Sequence, residues 1–274
     1  MLIPAAFAGD RPSTVMPEPS RLKKFMPKLH EEKLAEARAG NIDFVMIGDS
    51  ITHGWSRHPG VLKVEKMLNL GFPGDRTQNV LWRLQHGAVD GISPRLVTLM
   101  IGTNHAHDPK KGYAPDTPED IFTGIEAVVA EIRTRLPEAK ILVFSVFPRK
   151  PGGANDRVNA VNAMLPRIAD GRHVFHADIN LTFLDDQGRY NAALYSRDGL
   201  HLNAVGYAAW AEALQPLLEK EGLKTASNVP VARAEPLVPK LAGSRSNPST
   251  SLRSRKPSII LVMTDDQGMG DLSC

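Results

Sequence analysis

Apolar residues follow two rhythms between Lys28 and Glu221. Short, mostly apolar runs at Ile42–Ile47, Leu68–Leu70, Leu96–Ile101, Ile141–Val146 and Val174–Ile179 alternate with longer stretches whose apolar side chains recur every third or fourth residue. Runs without polar alternation predict strands buried on both faces, hence a parallel sheet covered by helices. Helices are predicted over Lys28–Ala39, stopped by Gly40-Asn41, and over Thr77–Gln85, with Val80, Leu81 and Leu84 on one side. Further helices are predicted over Thr117–Leu136, Asp156–Ala169 and Asn203–Glu221, with a short one at Val61–Met67. Pro12, Pro17 and Pro19 make the preceding segment an irregular lead-in.

Composition changes this picture little. The chain has 274 residues, 42% hydrophobic and 23% charged, as in ordinary globular domains. No stretch approaches the roughly 18 apolar residues needed to span a bilayer. The basic character is local: Lys224, Arg233, Lys240, Arg245, Arg253, Arg255 and Lys256 face only Glu235 between Gly222 and Pro257, in a segment that also holds five prolines. Residues 1–221 are then close to neutral, so the charge reads as a solvated linker and no nucleic-acid partner is expected. The single cysteine, Cys274, excludes an intramolecular disulfide framework. Ala6-Phe7-Ala8 has the form of a signal-cleavage site, but the apolar stretch before it is short and lacks a basic start. It points to a periplasmic or secreted location while leaving a cytoplasmic one open.

In parallel sheets ligands sit beyond the carboxyl ends of the strands. Gly48-Asp49-Ser50 and Gly102-Thr103-Asn104 both follow such ends. Ser50 at a helix start has its own N–H free to bind an anion, although Asp49-Ser50 also suits a plain helix cap. Asp198 and His201 are three residues apart, so on one turn the carboxylate can hold one ring nitrogen and leave the other for Ser50. Gly74 lies in a glycine-rich turn where backbone can approach a ligand, and Asn104 offers an uncharged amide donor. His105-Ala106-His107-Asp108 looks like a metal cluster but lies in one loop with no distant third ligand. His53 could touch substrate or pack, and Trp55, Trp82 and Trp210 read as core or interface residues.

Asn69-Leu70-Gly71-Phe72-Pro73-Gly74-Asp75-Arg76-Thr77-Gln78, Val80-Leu81-Trp82-Arg83-Leu84, Ile101-Gly102-Thr103-Asn104 and Asp198-Gly199-Leu200-His201-Leu202, together with Gly48-Asp49-Ser50, resemble the SGNH (GDSL-type) hydrolases. The similarity covers about residues 29–220 and is to the subgroup containing platelet-activating-factor acetylhydrolase catalytic subunits. It implies a three-layer α/β/α flavodoxin-like sandwich and a serine esterase acting on short acyl, chiefly acetyl, esters. It also implies Ser50 as nucleophile, Asp198 and His201 completing a triad, Ser50, Gly74 and Asn104 forming the oxyanion hole, and no metal or cofactor. Pro73 and His105 depart from the pattern.

Lys256–Leu272, with Asp265-Asp266, resembles the first strand and metal loop of a sulfatase domain, but the nucleophile motif Cys-x-Pro-x-Arg is absent. The expected organisation is a lead-in (1–27), a hydrolase domain (28–221), a basic linker (222–257) and a truncated sulfatase-like start (258–274). A fused sulfatase would fit an ester substrate on an acetylated or sulfated polysaccharide. A lipid acetylhydrolase or lysophospholipase, and a silent glycan-binding module, stand as alternatives; homodimerisation is left open.

Overall fold

In the computed structural model, which describes residues 12–20, 24–107 and 115–226, five parallel strands form one sheet. They are β1 (Phe44–Gly48), β3 (Met67–Gly71), β4 (Leu96–Met100), β5 (Lys140–Phe144) and β6 (Val174–Ala177), in the spatial order β3-β1-β4-β5-β6. The chain leaves β1 toward β3 on one side and later returns to β4 on the other. The crevice between the ends of β1 and β4 is therefore a topological switch point.

Alternate residues of β1 serve different cores. Val45 and Ile47 pack with α1 (Met26–Arg38), α3 (Thr77–Gln85), α4 (Pro118–Arg135) and α5 (Gly153–Met164). Phe44 and Met46 pack on the other face with α6 (Ala204–Lys220) and with Ile51 and Trp55, which belong to α2 (Ser50–His53) and the 3₁₀ turn after it. Helix–sheet–helix layering follows, and the flavodoxin-like α/β/α expectation holds. α4 shows the local logic: Thr117 accepts the Asp120 N–H as N-cap, Pro118 opens the helix, and Ile121, Ile125, Val128, Val129 and Ile132 are buried. Among the described residues no helix is long and apolar enough to cross a membrane.

One local expectation fails. Val61–Met67 is not helical. Lys63–Val64 (β2) pairs antiparallel with Thr225–Ala226 (β7), and Lys66, at φ 59°, turns the chain into β3. Only a partner some 160 residues away rewards that extended form, so no local pattern announces it. Packed structure also extends beyond residues 28–221 at both ends. The Thr77 hydroxyl donates to the Thr14 carbonyl (2.7 Å), the Asn79 amide donates to the Glu18 carbonyl (2.9 Å), and Met26 and Leu223 are buried. The basic linker beyond Ala226 and the sulfatase-like segment lie outside the described residues, as does Asp108.

Candidate active site

β1 ends at Gly48, and Asp49 caps α2 by accepting the Ile51 N–H at 2.9 Å, which makes Ser50 the first residue of that helix. Asp49 is thus a cap, as its position beside a helix start suggested. It is also buried. Burial pushes its carboxyl up to about 7, with Asp75 adding to the rise, while the Ile51 amide, His201 and Arg149 hold it back.

β3 runs beside β1 with Gly71 opposite Gly48, and the Phe72 N–H donates to the Gly48 carbonyl (3.1 Å). A Cβ on Gly71 would lie 2.2 Å from the His53 nitrogen, so the first turn of α2 can rest on the strand end only over a glycine. The next turn carries Gly74 in the left-handed region (φ 84°). Its other anchor is Asp75, gripped by Arg83 of α3 through two bonds of 2.6 and 3.0 Å, with the guanidinium over the Phe72 ring. Burial pushes Asp75 up to about 6, and the bonded Arg83 guanidinium opposes that rise.

Asn104 follows β4 on the other side of β1. Its amide reaches across the β1 end to donate to the Asp75 carbonyl at 2.9 Å. An amide has two N–H groups, and the second has no protein acceptor among the described residues. The Gly74 turn and the Asn104 amide are thereby tied together across the end of β1. His105 adds a second tie: Nε2 accepts the Thr77 N–H (3.0 Å) and Nδ1 bonds Asp116 (2.7 Å). With its ring fully buried and its pKa lowered chiefly by that burial, His105 fastens two loops, and both its nitrogens are occupied without a metal.

The loop after β6 brings the remaining pair. Asp198 Oδ1 accepts the Leu200 and His201 amides (2.9 and 3.0 Å), and Oδ2 bonds His201 Nδ1 at 2.6 Å. Partial burial alone would raise this carboxyl, but the imidazole and the two amides outweigh it and hold Asp198 below the usual carboxylate range. His201 Nε2 lies 2.8 Å from Ser50 Oγ. With Nδ1 donating to Asp198, Nε2 can accept the serine proton. The structure therefore brings Ser50, Asp198 and His201 into one hydrogen-bonded line, with Gly74 and Asn104 on neighbouring loops.

Three side chains were not singled out from sequence. Arg149 Nη1 bonds the Thr103 carbonyl (3.1 Å) and hydroxyl (3.2 Å), while the next residue's N–H, from Lys150, donates to the Gly199 carbonyl (2.7 Å). The loop after β5 thus braces the Asn104 turn and the His201 loop at once. Its position just past a strand end was the only available signal. Tyr207 donates its hydroxyl to the Ile51 carbonyl (2.6 Å), fixing α2 from α6. It floors a cavity of about 200 Å³ that opens beside Ser50 and His201 and includes Arg57 in its wall. His53 does not line this cavity. Trp55 and Trp210 are core residues, and Trp82 is half-buried between His30 and His86.

The sequence matches the model of the GDSL-like Lipase/Acylhydrolase family over residues 46–209. It is 31% identical over 199 residues to the platelet-activating factor acetylhydrolase IB subunit alpha1 of Pongo abelii, covering 69% of this chain and 81% of that one. The alpha2 subunit of Rattus norvegicus is also 31% identical, over 198 residues, with the same coverage. A solved GDSL-like lipase from Bacteroides thetaiotaomicron superposes with a TM-score of 0.56 at 20% identity, over 70% of this chain and 97% of that one.

Proposed function

Because the chain belongs to the GDSL-like lipase/acylhydrolase family and is a carboxylic ester hydrolase, we propose that it is a short-acyl serine esterase with Ser50 as nucleophile. Ser50 Oγ attacks the ester carbonyl carbon as His201 Nε2 takes its proton. Asp198, ionised, orients the imidazole and stabilises the imidazolium that forms. The carbonyl oxygen, now an alkoxide, is met by the N–H groups of Ser50 and Gly74 and by the Asn104 amide. Collapse expels the alcohol, which takes the proton from His201. Water, deprotonated by the same nitrogen, then attacks the acyl-serine and releases the acid.

The observation that carries this reading is the unbroken Asp198–His201–Ser50 line, at 2.6 and 2.8 Å. The preference for acetyl is supported by the relatives named as acetylhydrolases. Their names also favour a second reading for the alcohol, a lipid. The sulfatase-like segment near the chain end favours a polysaccharide instead.

The test is hydrolysis of 4-nitrophenyl acetate, butyrate and octanoate by the wild type and by Ser50→Ala. Fast acetate turnover, declining with chain length and abolished in Ser50→Ala, is expected. Turnover that persists in Ser50→Ala would remove Ser50 from its role, and faster octanoate than acetate cleavage would remove the acyl preference.

A further inference from the structure

We propose that the cavity beside Ser50 and His201 binds an anionic group carried by the alcohol half of the ester, with Arg57 as its recognition residue. The inference rests on the esterase reading above and names the substrate class for it.

The direction of the substrate follows from the reaction. The alcohol oxygen must leave within reach of His201 Nε2, because that nitrogen returns the proton. The carbonyl oxygen must face Gly74 and Asn104, and neither of these lines the cavity. The cavity borders both Ser50 and His201, on the side where the departing oxygen takes its proton, and the short acyl group of this reading needs little room, so the group filling the cavity is assigned to the alcohol.

The walls define what that group is. Arg57 lies on the 3₁₀ turn that continues directly from α2, so its backbone is fixed relative to Ser50. Its guanidinium makes no ion pair or hydrogen bond with any described residue. His58 stacks on Tyr207 at 4.4 Å, and Ser196 stands on the far wall with only a long 3.5 Å contact from its hydroxyl to the Leu202 carbonyl. Asn203 also lines the space, but its side chain is consumed by capping α6 and by bonds to the Ala193 and Tyr195 carbonyls. Among the described residues no carboxylate lines the cavity; Asp198 is occupied by His201 and two amides, and Asp49, adjacent to Ser50, is buried and accepts the Ile51 N–H. A concave site next to a nucleophile, lined among the described residues by a guanidinium and a weakly engaged hydroxyl but by no acid, suits a carboxylate, sulfate or phosphate. Arg57 is exposed and solvated, so an anion in the cavity gains a charge-assisted contact that a neutral alcohol lacks.

A matched pair of acetyl esters tests this: 3-acetoxy-4-nitrobenzoate and its neutral methyl ester. The wild type should show a kcat/KM ratio of about tenfold in favour of the anion at low salt, the size expected for one charge-assisted contact at a partly exposed site. That ratio should shrink as salt is added. Arg57→Gln should bring it close to one, and Arg57→Lys should keep part of it. A wild-type ratio near one, or a ratio unchanged in Arg57→Gln, would overturn the proposal while leaving the esterase intact. Failure to cleave either ester above the Ser50→Ala background would instead refute the esterase reading, and this subsite with it. Two further acetyl esters separate the sources of the anion: an O-acetylated glucuronate and a 2-acetylglycerol 3-phosphate ether lipid. The one whose turnover depends more on Arg57 identifies the natural carrier, and independence of both from Arg57 counts against the proposal.

Discussion

Replacing Asp49 with asparagine should flatten the pH dependence of stability. Asp49 is buried at the start of α2, and its carboxyl is pushed up to about 7 mainly by loss of solvent. In the unfolded chain the same group titrates near 3.8. Between these two values the folded state holds a proton that the unfolded state has released, so stability falls as pH rises. Each pH unit in that window costs about 1.4 kcal/mol, giving about 3 kcal/mol between pH 5 and 7 and little more above. Asparagine does not titrate, and its side-chain oxygen can still accept the Ile51 N–H, so the cap is retained. Its buried NH2 carries a desolvation cost, but that cost is the same at every pH. Urea unfolding of both proteins at pH 5 and pH 8 measures the effect, since every other titrating group is present in both and Asp75 and His201 differ only by the loss of their coupling to Asp49. The wild type should lose about 3 kcal/mol more than Asp49→Asn on going from pH 5 to 8. A difference below about 0.5 kcal/mol, or one of opposite sign, would refute the account of Asp49 as a carboxyl held protonated by burial.

The remaining predictions concern the reaction. Esterase kcat/KM should show no limb from Asp198 in the ordinary carboxylate range, because its imidazole and amide partners hold it below that range; a limb at about pH 4 that is absent from Asp198→Asn would refute that account. Asn104→Ala should lower kcat by roughly 10²–10³ with little change in KM, the signature of a donor engaged only in the transition state. A rise in KM at constant kcat would instead make Asn104 a ground-state contact. Arg149→Gln should lower kcat by about tenfold and spare KM, with partial rescue by Arg149→Lys, because the Asn104 turn loses its brace. Loss of thermal stability with an unchanged kcat would reduce Arg149 to a structural role.

Much of this architecture was already legible along the chain. Uniformly apolar runs specify doubly buried strands, three- and four-residue spacing specifies the helices over them, and Thr117-Pro118 and Asn203 mark helix starts through bonds within a few residues. Gly48-Asp49-Ser50 and Asp198-x-x-His201 are equally local: a cap and a single turn suffice to build each. The encounter of these pieces is not local. Ser50 and His201 are 151 residues apart, and only the strand order β3-β1-β4-β5-β6 gathers their loops at one end of the sheet. The same holds for the Asn104 amide reaching over β1 to Asp75, for Arg149 joining two loops, and for Lys63–Val64 pairing with Thr225–Ala226. Arg57 sits in an unremarkable stretch of sequence, and its place in the cavity wall comes from α6 closing over α2. Periodicity and capping are written in neighbouring residues because the hydrogen bonds that enforce them span only a few positions. The site depends on contacts whose chain separation carries no local signature, so tertiary packing alone decided it.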